Sequence, residues 1–76
     1  MEELLSYMVK ALVDNPNNVE IRKVEGEKTI ILELKVDESD VGKVIGKRGK
    51  TINAIRTIVK SAMSKESKKV IVEILQ

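Results

Sequence analysis

Apolar residues in this chain recur with two different periods, and the switches between them divide it into six elements. Leu4, Leu5, Met8, Val9, Leu12 and Val13 follow i, i+1, i+4, i+5 spacing, which predicts an amphipathic helix over residues 3–14. Asp14-Asn15-Pro16-Asn17-Asn18 ends it, because proline disfavours helix at the residue before it. Val19 to Glu25 reads as a strand through Val19 and Ile21, with a slip near Arg22-Lys23-Val24 of the kind a β-bulge produces. Gly26-Glu27 makes a turn. Ile30, Leu32, Leu34 and Val36 then alternate with Thr29, Ile31, Glu33 and Lys35, a half-buried strand paired with the one before it.

Val41, Val44 and Ile45 stand at i, i+3, i+4, so a short helix opens near Asp40, with Asp37 or Ser39 as its cap. A second helix runs from about Lys50 to Ser64 on Ile52, Ala54, Ile55, Ile58, Val59, Ala62 and Met63. A last strand, from Lys68 or Lys69 to Leu75, places Val70, Val72 and Ile74 on one face and Ile71, Glu73 and Leu75 on the other. The order is α-β-β-α-α-β, an α+β arrangement in one domain over residues 1–76, with no repeat, low-complexity segment or linker.

Between the last two helices lies Gly46-Lys47-Arg48-Gly49, two glycines and two cations in a tight turn. Gly46 is free to take a positive φ and stop the first helix. The next helix opens with backbone N–H groups that lack intrahelical partners, where the helix dipole favours an anion. Lys47 and Arg48 add charge-assisted donors, and Gly49 has no Cβ to obstruct approach, so the turn suits a phosphate backbone. Gly49-Lys50-Thr51 imitates the end of a P-loop, but that motif needs glycine at position 44, where Val44 stands.

Charge sharpens this picture. Residues 1–40 hold five basic and ten acidic side chains, net −5, and residues 41–76 hold nine and two, net +7. Lys43, Lys47, Arg48, Lys50, Arg56 and Lys60 follow one another without an acid, a single-sign run centred on the glycine turn that fits a polyanion. The chain has neither cysteine nor histidine, so the usual nucleophiles, general base and transition-metal ligands are missing, and its carboxylates show no metal-loop or acid/base spacing. These features predict a protein that is not an enzyme and takes no cofactor or metal. No apolar run approaches a membrane span and the start is acidic, which predicts a cytoplasmic protein without membrane contact. The basic helix Lys50–Lys65 needs its apolar face to cover the sheet rather than a lipid surface.

Val41-Gly42-Lys43-Val44-Ile45-Gly46-Lys47-Arg48-Gly49-Lys50-Thr51-Ile52 resembles the signature of the KH domain, whose G-x-x-G loop clamps about four nucleotides. KH domains share a β-α-α-β unit, and type II members carry an extra helix and strand before it, so the resemblance covers nearly the whole chain. It implies a three-stranded sheet covered on one face by three helices. The chain is similar to small bacterial stand-alone type II KH proteins, which are proposed RNA chaperones. In some bacteria they partner with a larger protein bearing a Jag region and a KH domain, and affect cell elongation, cell shape and wall biogenesis.

By motif correspondence, Gly46, Lys47, Arg48, Gly49, Lys50 and Lys43 would contact single-stranded RNA or single-stranded DNA. Val41, Val44, Ile45 and Ile52 would floor an aliphatic groove, with part of the Ile30–Val36 strand as the opposite wall. With Tyr7 as the sole aromatic, base stacking on aromatic side chains is not the recognition mode. The alternative is a KH-fold protein–protein interaction module with an idle loop. The broad apolar arc of the Lys50–Ser64 helix predicts a homodimer, or a heterodimer with another KH-domain protein, with Ile58 or Val59 near the contact.

Overall fold

The computed structural model describes residues 1–76 and builds the six elements in the predicted order: α1 Glu2–Leu12, β1 Glu20–Glu25, β2 Thr29–Lys35, α2 Val41–Ile45, α3 Lys50–Ala62 and β3 Lys69–Leu75. Three helices lie on one face of a three-stranded sheet ordered β1-β2-β3. β1 and β2 are antiparallel neighbours and β2 and β3 are parallel, so the β2–β3 connection must cross over, and α2 and α3 form that crossover. No helix is long and apolar enough to cross a membrane.

β2 carries the core. Ile30, Leu32 and Leu34 are buried on its helix side, beside Val70 and Val72 of β3, and above them pack Leu5 and Val9 of α1, Val44 of α2, and Ile52, Ile55 and Val59 of α3. Both edges of β2 are paired, so it is the central strand of the sheet, and its helix-facing side is filled by the core. The free sheet edges belong to β1 and β3.

Two boundaries differ from the sequence pattern for local reasons. α1 stops at Leu12 because Val13 is already extended (φ −97°, ψ 158°), leading into a 3₁₀ turn at Pro16–Asn18. The slip at Arg22-Lys23-Val24 is not a bulge, since the register runs unbroken from Glu20 opposite Lys35 to Glu25 opposite Ile30. Only Ile21 of β1 is even half-buried, and an uncovered edge strand has no need of strict alternation. Its charges are used laterally: Glu25 accepts from Lys68 at 2.6 Å and lies 3.4 Å from Lys23, tying β1 to the approach to β3.

Asp40 is the one buried polar side chain. Its carboxylate accepts from the backbone N–H of Asp14 (3.1 Å) and Asn15 (3.0 Å), from the Asn15 side-chain amide (3.1 Å), and faces the Lys43 ammonium at 3.6 Å. It thereby pins the loop after α1 to the start of α2. Asp37 caps a second 3₁₀ turn, Glu38–Asp40, which leads into α2, accepting from the Ser39 N–H at 3.0 Å. Burial pushes the Asp40 carboxyl up, but the Asp14 and Asn15 donors and the Lys43 charge outweigh it and hold the group below the usual aspartate range. Hydrogen bonds from Ser39 lower Asp37, and the Lys68 hydrogen bond lowers Glu25.

A carboxyl whose folded pKa lies below its unfolded value stabilises the fold above the unfolded value, and that stabilisation is lost as pH falls through the folded one. All three groups shift in that direction, so the urea midpoint is expected to fall below about pH 4. Asp40→Asn is expected to lower the midpoint at pH 7 and to shrink the difference between pH 7 and pH 3. Equal pH dependence in the two proteins would remove Asp40 from this account.

Candidate nucleic-acid interface

The loop between α2 and α3 exists because Gly46 adopts φ 75°, ψ 173°, a region essentially closed to residues with a Cβ. A Cβ there would also lie 2.7 Å from Thr51 Cβ and 2.9 Å from Thr51 N, so the start of α3 packs directly on this glycine. The Gly46 N–H closes α2 on the Gly42 carbonyl at 2.9 Å, and the Gly49 N–H returns to the Gly46 carbonyl at 3.1 Å. Gly49 is left-handed (φ 74°, ψ 12°), with only the Asn53 side chain near a would-be Cβ, so its requirement is conformational rather than steric. Arg48, between them, is also left-handed (φ 58°, ψ 26°), the only non-glycine residue with positive φ.

The sequence-predicted cations separate into two groups. Lys47, Arg48 and Lys50 are exposed and free of ion pairs, at the start of α3 where no acid and no side-chain cap offsets the helix dipole. Lys43 is different: its ammonium contacts Asp14 and lies near Asp40. The Asp14 hydrogen bond, working against burial and with the charges of both aspartates, raises its pKa, so Lys43 stays protonated with its field largely cancelled.

Among the aliphatic groove residues, Val41 and Ile45 are half-buried beside the loop. Val44 is fully buried and Ile52 is 4% exposed; both belong to the core and do not present a floor. For α2, spacing alone could not separate these roles, since a five-residue helix offers too few turns to distinguish its core side from its flank; Ile52 lies on α3, in the same core stripe as Ile55 and Val59.

Arg56, within the basic run, performs a more specific task. Its Nε donates to the Val72 carbonyl on β3 (3.1 Å) and its Nη1 to Asn53 Oδ1 (3.1 Å), while its remaining donors have no protein acceptor. A guanidinium is therefore fixed across the seam between α3 and the free edge of β3. Gly49, Asn53 and Arg56 fall at i, i+4, i+7, a shared helix side that the spacing displays and the glycine-loop motif does not include.

The family profile described as KhpA/KhpB, KH domain, matches residues 2–74. A Clostridium perfringens protein named RNA-binding protein KhpA is 56% identical over 75 residues, covering 99% of this chain and 100% of the relative. Proteins of the same name from Chlamydia trachomatis and Borreliella burgdorferi are 50% and 48% identical, covering 100% and 96% of this chain and 97% and 89% of the relatives. Among solved structures, Aquifex aeolicus Era bound to GDP and aluminium fluoride aligns with TM-score 0.62, and Era in complex with MgGDPNP and a segment of 16S ribosomal RNA with 0.58. Both are 20% identical and the alignments cover 95% of this chain but 28% of the longer Era chains, a likeness of fold.

The backbone of the loop sets two expectations for denaturation. Gly46→Ala should cost at least about 2 kcal/mol, from the forbidden φ/ψ region and the collision with Thr51. Arg48→Gly should be neutral to about 0.5 kcal/mol stabilising, because relief of the left-handed strain slightly exceeds the extra freedom gained by the unfolded chain. A clear loss of stability in Arg48→Gly would show that the arginine side chain supports the fold.

Proposed function

Because the chain belongs to the KhpA/KhpB KH-domain family, we propose that it binds single-stranded RNA, or single-stranded DNA of like shape, through the Gly46–Gly49 loop. One observation carries this reading. The loop holds two glycines and Arg48 at positive φ, at the uncapped start of α3, with Lys47, Arg48 and Lys50 exposed and unpaired. Arg48 strains its backbone where glycine would be less costly, which is the pattern of a residue kept for what its side chain touches.

In this reading the loop and the α3 N-terminus hold phosphates, Val41 and Ile45 offer apolar contact beside it, and Arg56 presents its free donors to base edges along the α3–β3 seam. Lys43 contributes a weaker field, since Asp14 and Asp40 already engage it. In this reading the protein works in the cytoplasm as an RNA chaperone or post-transcriptional regulator, acting by binding rather than catalysis.

Lys47→Asp with Arg48→Asp is expected to abolish binding of a fluorescent single-stranded RNA while leaving the circular dichroism spectrum unchanged, because both side chains face solvent. Wild-type affinity should fall with salt, with a log–log slope of roughly −0.7 per phosphate contact. Unchanged affinity in the folded double variant would refute the clamp.

An exposed aliphatic surface supports self-association or pairing with another KH-domain protein. Ile58 is 47% exposed on α3, flanked by exposed Ala54 and Ala62, whereas Val59 is fully buried and takes no part. Light scattering over a concentration series is expected to report a dimer that Ile58→Asp dissociates; a strict monomer at hundreds of micromolar, alone and with the candidate partner, would refute this surface.

A further inference from the structure

Nine basic residues lie between Val41 and Gln76, and the fold sorts them into engaged and free. Lys43 is held by Asp14 and Asp40, Lys68 by Glu25, and Arg56 by Val72 and Asn53. The other six carry no ion pair and stand at the two ends of α3: Lys47, Arg48 and Lys50 at its start, and Lys60, Lys65 and Lys69 around its end and the turn that follows. Thirteen residues of helix set the two groups about 18 Å apart.

The α3–β3 seam joins them. Arg56, midway along α3, bonds Val72, midway along β3, so helix and strand run side by side. Lys60 lies one turn beyond Arg56 and shares its side of the helix. At the far end of the seam a hollow of about 280 Å³ is lined in part by Lys60, Ser64, Lys68 and Lys69, with Glu66 the one acid on its rim.

We infer that this hollow is a second phosphate-contact site for the same RNA strand, which enters at the glycine loop, follows the seam and leaves over Lys60 and Lys69. The inference rests on the RNA-binding reading above and extends the footprint beyond the about four nucleotides of a glycine-loop groove. Lysines suit such a contact because a flexible point charge meets a phosphate without demanding a fixed base geometry. The hollow offers no aromatic ring, and the only one in the chain is Tyr7 on α1, so the contact reads backbone and not sequence.

The test is fluorescence anisotropy with oligouridylates of four and eight nucleotides, comparing the wild type with Lys60→Gln/Lys69→Gln. Both lysines are exposed and have no hydrogen-bond partner, and circular dichroism checks that the variant folds; Lys60→Gln alone serves if the pair does not. Affinity for the tetramer should stay within about twofold, while affinity for the octamer falls roughly tenfold and its salt slope becomes shallower by about 1.4, two contacts at about 0.7 each. Lys47→Asp/Arg48→Asp should lose both lengths; if it binds both as the wild type does, the glycine-loop reading fails independently of the length effect. An equal loss at both lengths, or none at either, overturns the second site.

Discussion

The contact between Gly46 and the first turn of α3 is the constraint on which the rest of the binding surface depends. The Gly46 backbone can lie against Thr51 only because it has no Cβ and can take φ 75° with ψ 173°. That conformation ends α2 abruptly and starts α3 four residues later, so two helix termini meet with a single exposed turn between them. The N-terminus of α3 opens onto that exposed turn, while Ile52 in its first turn enters the core. Any side chain at position 46 would separate the helices, and Lys47 and Arg48 would no longer stand before the α3 N-terminus.

A second constraint holds the loop from behind. α2 is only five residues long and could not keep its position by its own hydrogen bonds. Val44 anchors it in the core, and the buried Asp40 carboxylate fastens its start to the backbone of Asp14 and Asn15. A buried charge is tolerable there because three hydrogen-bond donors and the Lys43 ammonium compensate its lost hydration. The acidic N-terminal half of the chain thus contributes to the basic half by orienting it.

Charge is distributed by the same logic. The acids of residues 1–40 neutralise the cations that the fold brings near them, Lys43 and Lys68, and leave free those at the two ends of α3. A low-aromatic protein must hold a nucleic-acid strand by backbone charge and aliphatic contact, and both are concentrated along one helix and its neighbouring strand edge.

Much of this was legible in the sequence by itself. Glycines at 46 and 49 with cations between them located the loop, alternation located β2, a short β-branched apolar run located β3, and the element order agreed with the fold, because each is a local pattern imposed by backbone geometry. The tertiary structure decided what depends on residues far apart in the chain. Asp14 meets Lys43 across 29 positions and Lys68 meets Glu25 across 43, so which lysines remain free could not be read from a run of like charges. The central place of β2 follows from strand pairing rather than from its own alternation. Val44 looks like Val41 and Ile45 in sequence, yet it alone of the three is fully buried in the core, since the direction a short helix turns its side chains is set by what it packs against.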